Sequence, residues 1–210
     1  MLREPGAAAS AGRQAVGMDA PTDATPAREG RWSTLETRTV HAGRVRITER
    51  DVLLPGGERI RFEVDESIPF AVAVLVVTED GDVLLARQYR YPIDRWIYDL
   101  PGGAGGDDEA PAEAARRECR EEIGLLPDAL VPLHVFYPNP GRAAWPVHLY
   151  LARGGTPSER DETDPAEQVR LVRMPLAALD ALIAEGAVVD PSLLLARMMA
   201  GVRGELPALG

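Results

Sequence analysis

The sequence predicts an α/β domain preceded by a small antiparallel β-unit, and three observations carry that expectation. An apolar run over residues 68–77 reads as a buried strand, since it is only about half of the roughly 20 residues that cross a bilayer. Ala112, Ala115, Cys119 and Ile123 recur at steps of three and four, the spacing that gathers side chains on one side of a helix. Around both, short segments of alternating apolar and polar residues are separated by Gly and Pro, as strands joined by turns are. With 210 residues, 45% hydrophobic and 27% charged, the chain can close one sizeable core, which excludes a wholly disordered protein, a coiled coil or a collagen.

Residues 1–30 mix Ala, Gly, Pro and Thr without a sustained apolar period and read as a flexible leader, with Met18 a second candidate start. Residues 31–66 read as the antiparallel β-unit: Val45 and Ile47 alternate with polar neighbours, Pro55-Gly56-Gly57 turns the chain, and Ile60, Phe62 and Val64 alternate again. Residues 67–205 hold the main domain. Its buried strand ends at Glu79-Asp80-Gly81-Asp82, whose Asp-Gly pair favours a tight turn, and residues 83–90 return as the second arm of a hairpin. A short strand over 96–100 stops at Pro101-Gly102-Gly103, and a Gly/Asp loop leads into a helix over 110–123 with Gly124 at C′. Strands over 131–137, 147–152 and 169–174 follow, with an acidic loop before the last. Two helices close the chain, the second with Asp190 as N-cap and Pro191 at its first position.

Charge and composition narrow the chemistry. A formal net charge of −10, from 33 acids against 23 bases, has the wrong sign for gripping polymeric nucleic acid by its phosphates. A small anionic ligand is still accessible if a divalent cation mediates the contact. There is no lysine, which excludes a lysine-based phosphate loop or Schiff base. Cys119 is the single cysteine, so no intrachain disulfide and no zinc site of several thiolates can form. His41, His134 and His148 lack metal-ligand spacing. No membrane span and no apolar segment behind Arg3 and Glu4 are visible, so the cytoplasm is the expected compartment.

The predicted helix carries an apparent defect. Glu118, Glu121 and Glu122 stand at i, i+3 and i+4 in its last two turns, where like charges repel and the helix dipole disfavours carboxylates. One reading is a solvated charged face, with Glu113 paired to Arg117. The other is a metal face, because Mg²⁺ takes carboxylate oxygens and waters and shares itself with substrate phosphates. Cys119 reads as core rather than as a nucleophile.

The wider spacing favours the metal face. Gly103, five residues, Glu109, seven residues, then Arg117-Glu118-Cys119-Arg120-Glu121-Glu122-Ile123-Gly124-Leu125 resembles the complete Nudix box, with Cys119 at an aliphatic position. Seven fixed positions, each at roughly one in fifteen by usage, make an accidental match improbable. The resemblance implies an α/β/α sandwich with a mixed sheet and hydrolysis of a nucleoside diphosphate linked to another group. It implies Glu118 and Glu122 as main metal ligands, Glu121 as a further ligand or water partner, Glu121 and Glu122 as catalytic carboxylates, and the carbonyl of Gly102 as a backbone ligand. Arg117, with Glu109, would orient the carboxylates. Mg²⁺ is the implied ion, with Mn²⁺ the alternative.

Three further motifs resemble the ADP-ribose or ADP-sugar pyrophosphatase branch: Arg87-Gln88-Tyr89-Arg90, Asp99-Leu100-Pro101-Gly102-Gly103 and Asn139-Pro140-Gly141. The branch implies Arg87 and Arg90 as donors to the diphosphate, a contact of Pro140 with substrate, Trp32 as a base-stacking or anchoring aromatic, and a catalytic carboxylate on the late acidic loop. Of Glu159, Asp161, Glu162, Asp164 and Glu167, the candidate is Glu162. Asp99 stands where the branch carries Glu, and Arg142-Ala143-Ala144-Trp145 offers no Glu after Gly141. ADP-ribose, giving AMP and ribose 5-phosphate, is therefore weighed against a UDP-, GDP- or other ADP-sugar, and against a nucleotide-sensing module without turnover. The branch also implies a homodimer in which residues 31–66 help build the partner's site.

Overall fold

A computed structural model describes residues 30–160 and 169–209; the expected leader up to residue 29, and Glu162 with its neighbours in 161–168, lie outside the described residues. Strands β1 (Ser33–Ala42), β2 (Arg46–Leu53) and β3 (Arg59–Asp65) form a three-stranded antiparallel sheet in that order. Then follow β4 (Ala71–Val77), β5 (Asp82–Arg90), a 3-10 turn at Tyr91–Ile93, β6 (Arg95–Asp99), β7 (Gly102–Ala104) and helix α1 (Pro111–Ile123). After them come β8 (Leu125–Leu126), β9 (Ala129–Phe136), β10 (Val147–Arg153), β11 (Thr156–Pro157), β12 (Val169–Pro175), α2 (Leu176–Ala184) and α3 (Pro191–Val202).

The main sheet has the order β12-β5-β4-β10-β9, with β6 on β5 and β7 on β4, and β8 pairs with β11 apart from it. β4 runs parallel to β10 while β9, β5, β6, β7 and β12 join antiparallel, so the sheet is mixed. β4 explains the apolar run, because alternate residues face opposite cores. Val72, Val74 and Val76 pack with Ala114, Ala115, Cys119 and Ile123 of α1, and Ala73, Leu75 and Val77 pack with Leu179 of α2 and Leu193, Ala196 and Ala200 of α3. The result is the expected α/β/α sandwich.

Three local expectations are corrected. The strand expected over 68–77 begins at Ala71, after Pro69, which has no N–H to give to a ladder; Ala71 donates to Pro146 O at 2.8 Å. Pro101-Gly102-Gly103 does not simply stop a strand, because Gly102–Ala104 forms β7 on β4. Ala112 is exposed rather than inward, and the buried stripe of α1 is Ala114, Ala115, Glu118, Cys119, Glu122 and Ile123. A stripe drawn through apolar residues alone is rotated away from the true inner face, which includes two glutamates.

The β4–β5 hairpin pairs only at Val76↔Leu84 and Val77↔Val83, and then its arms part. β6 fills the gap along β5 and β7 fills it along β4. The two residues between them, Leu100 and Pro101, lead into Gly102, whose N–H is thereby set against α1.

Candidate active site

The site begins with how α1 is made. Pro111 opens the helix, the Glu113 carboxylate accepts from the Ala110 N–H at 3.3 Å, and Gly124 at φ +64° ends it. Glu113 is therefore an N-terminal cap partner and not the partner of Arg117, which removes the solvated-face reading. The inner face turns Glu118 and Glu122 into the protein at 9% and 8% exposure, a depth at which carboxylates need partners.

Glu122 finds them on two strands. Its Oε1 accepts from Gln88 Nε2 at 2.8 Å and its Oε2 from the Gly102 N–H at 2.9 Å. Burial nonetheless pushes its pKa up to about 8; the charges of Glu118 and Asp99 add to the rise, and the Gly102 and Gln88 bonds oppose it.

Arg117 organises the outer side. Its Nη1 donates to Glu118 at 2.7 Å and to Glu121 at 3.1 Å, its Nε and Nη2 form a fork on Glu109 at 2.9 and 3.1 Å, and Nη2 also reaches the Ala104 carbonyl at 3.0 Å. Glu109 lies below the usual carboxylate range, chiefly through its bond to Arg117, and Arg117 is held above its ordinary value, chiefly by Glu109. The loop, β7 and the helix are thus tied by one guanidinium. Gly103 completes the packing, since a Cβ there would stand 2.6 Å from Glu118 Oε1.

The donor set of Glu118, Glu121 and Glu122 is all oxygen, as hard divalent cations require. Two buried carboxylates side by side also form a negative locus that a cation would relieve, so these residues fit such an ion. Among the described residues no three His, Cys, Asp or Glu side chains are drawn together as a ready cage.

The other sequence candidates are placed less uniformly. Along β5, residues of even number face α1, as Gln88 does, and residues of odd number face the α2 and α3 side. Arg87 and Arg90 consequently lie on opposite faces. Arg90 donates to Asp99, while Arg87 sits over the Tyr98 ring with its Cζ 5.6 Å from the centroid, so the two are not brought together. Trp32 is exposed in the β-unit, edge-on to Phe62 at 5.9 Å. Pro140 lies in an exposed turn closed by Asn139 O, which accepts from Arg142 N and Ala143 N at 2.9 and 2.7 Å. That turn is tied to β3 by the Asp65 N–H to Arg142 O bond at 2.7 Å.

Gln88, Asp99 and Asp190 were not among the expected site residues. Asp190, the N-cap of α3, accepts from the Leu193 N–H at 2.7 Å; burial and then the charge of Asp99 push its pKa up to about 6, with Arg90 opposing. The period-two alternation of β5 was the available signal for Gln88.

The NUDIX domain model matches residues 68–195. The chain belongs to the Nudix family. It is 33% identical over 159 residues to the ADP-ribose pyrophosphatase of Bacillus subtilis, covering 75% of this chain and 85% of that protein. It is 35% identical over 164 residues to the CMP-5'-(N-acetyl-N-hydroxy-3-aminopropyl)phosphonate hydrolase of Streptomyces rubellomurinus, covering 76% and 77%. A solved ADP compounds hydrolase matches with a TM-score of 0.67 at 24% identity, over 83% of this chain and 97% of that one, and shares the fold. The chain is thus a Nudix hydrolase, and the spacing from Gly103 to Leu125 lies within the matched residues. No helix among the described residues is long and apolar enough to cross a membrane.

Proposed function

We propose that this Nudix hydrolase cleaves the diphosphate of a nucleoside diphosphate sugar, with ADP-ribose as substrate and AMP and ribose 5-phosphate as products. The observation that carries the reading is Glu118 and Glu122, buried side by side on α1 and facing the Gly102-Gly103 backbone while Arg117 spans Glu109, Glu118 and Glu121. Glu118, Glu121 and Glu122, with the Gly102 carbonyl, would hold Mg²⁺, Mn²⁺ being the alternative. When bound, the ion neutralises diphosphate charge and lowers the pKa of water.

The chain's own residues do the rest. Arg117 keeps Glu118 and Glu121 in fixed rotamers, which removes an ordering cost at the moment of reaction. Arg90 offers guanidinium donors to a phosphate, a planar match that lysine lacks. Glu121 accepts a proton from the attacking water, and Glu162, outside the described residues, is the candidate for a second such carboxylate. Water adds to one phosphorus as its bond to the bridging oxygen breaks, leaving two phosphomonoesters.

The Bacillus relative supports the ADP-ribose choice. The Streptomyces relative, equally similar, supports a second reading in which the nucleotide or its leaving group differs. The reading includes a cytoplasmic homodimer in which residues 31–66 serve the partner's site. The experiment is incubation of the purified protein with Mg²⁺ and a panel of ADP-, UDP-, GDP- and CMP-linked substrates, following phosphomonoester release beside a Glu122→Gln variant. Turnover lost in the variant, and lost on chelation, is expected. Saturable binding without turnover overturns the enzyme reading in favour of a sensor.

A further inference from the structure

Arg90 reaches its partner by an indirect route. On the β5–β6 ladder Asp99 stands opposite Ala86, and Arg90 stands opposite Arg95. Arg90 therefore lies four steps along β5 from the rung of Asp99, about 13 Å at roughly 3.3 Å per residue. The Arg90 guanidinium donates to Asp99 all the same, so its side chain must run back along the sheet. Arg90, Gln88 and Ala86 share one face of β5, and on that face Gln88 is bonded to Glu122. The arginine is thus laid along the sheet toward the carboxylate site.

An exposed arginine at a strand end has no reason to lie extended in one direction, since holding it there costs rotamer freedom. Asp99 supplies the reason. Its side chain is 9% exposed against 47% for Arg90, and its Oδ1 is fixed by the Leu100 N–H at 2.8 Å, one residue before Pro101-Gly102. The charge of Asp99 is felt at Glu122 and at Asp190, the cap of α3, which packs on β6. An arginine carries five N–H donors, and a single nitrogen, Nη2, serves Asp99.

We propose that Asp99 is a positioning residue that draws the Arg90 guanidinium back from the end of β5 to the edge of the carboxylate site, where its further donors receive the substrate diphosphate. This inference rests on the function proposed above. It makes a prediction opposite in sign to simple charge. Replacing Asp99 by Asn makes the locus more positive, which alone would tighten binding of an anion; loss of positioning weakens it.

The test is steady-state kinetics of the full chain with ADP-ribose and Mg²⁺, for Asp99→Asn, Asp99→Glu, Arg90→Gln, Arg90→Lys and the double variant Arg90→Gln/Asp99→Asn. Asp99→Asn is expected to raise KM about tenfold with kcat changed less than about threefold, and Asp99→Glu to restore most of it, as for a lost charge-assisted contact. The double variant is expected to be no worse than Arg90→Gln alone. Arg90→Lys, which lies at an exposed strand end and leaves the fold intact, is expected to match Arg90→Gln, because its shorter reach cannot span the rungs. An unchanged or lowered KM in Asp99→Asn, full multiplication of the two effects in the double variant, or a wild-type KM in Arg90→Lys overturns the inference. Should Asp99→Asn fail to fold, the Arg90→Lys result decides alone. A wild-type protein that turns over no member of the panel overturns the proposed function, and this inference with it.

Discussion

Gln88 on β5 donates its side-chain amide to Glu122 on α1 at 2.8 Å, a bond across 34 residues of sequence between two buried side chains. It is one of two donors that hold the deepest carboxylate of the site. Replacement by Leu keeps the volume and removes the donor. It is expected to destabilise the protein by about 1–3 kcal/mol, the range for a buried polar group left without its partner. Urea denaturation measures this, and activity at saturating substrate is expected to fall as Glu122 loses its orientation.

Gly102 and Gly103 are neighbours with different reasons to lack a side chain. A Cβ on Gly102 would collide with the Val72 backbone carbonyl, which cannot retreat without breaking the β4–β7 pairing. The atoms nearest a Cβ on Gly103 are the carboxylate end of Glu118, a side chain that can shift, at the cost of its placement by Arg117, where a backbone carbonyl cannot. Gly102→Ala is therefore expected to lower the melting temperature by several degrees, about what 1–2 kcal/mol produces. Gly103→Ala is expected to leave melting nearly unchanged while reducing kcat about 100-fold through displacement of Glu118.

The single thiol is expected to be chemically silent. Burial, and then the charges of Glu122 and Glu118, push Cys119 up to about 12 from its ordinary value of 9. The native thiol stays protonated through pH 8, where iodoacetamide should label it only in denaturant, as mass spectrometry would show. Because the folded value is the higher one, this group's contribution to stability is complete below about pH 9 and is lost as the pH rises toward 12.

Away from the site, Arg197 is fully buried, and its Nε and Nη2 donate to the two oxygens of Asp180 at 2.6 and 2.7 Å, with Nη1 on the Pro207 carbonyl at 2.9 Å. The pair fastens α3 to α2 and to the following segment. Asp180→Ala strands a buried cation and is expected to cost about 3–5 kcal/mol in chemical denaturation. Asp180→Leu combined with Arg197→Met is expected to recover most of that. The kcat of the folded fraction should be unchanged in both.

Much of this was legible in the chain. The run of apolar residues now in β4 is continuous because both its faces are covered, and the spacing from Gly103 to Leu125 could be read directly. What escaped was set by packing at a distance. β7 could not be foreseen in Pro101-Gly102-Gly103, because its pairing depends on the parting of β4 and β5. The inner face of α1 was misphased at Ala112 because Glu118 and Glu122, polar by type, point inward. The divergence of Arg87 and Arg90 was available in principle, since residues three apart on a strand face opposite ways.

The parted hairpin has an engineering consequence. The notch between β4 and β5 admits β6 and β7 in one alignment, and the peptide joining them supplies the N–H that steadies Glu122. One residue added or deleted between Ile97 and Gly102 would slip that alignment and swap inward for outward side chains. The turn at Pro140 and the β-unit sit outside the notch, so grafting new selectivity there leaves the cutting centre in its seat.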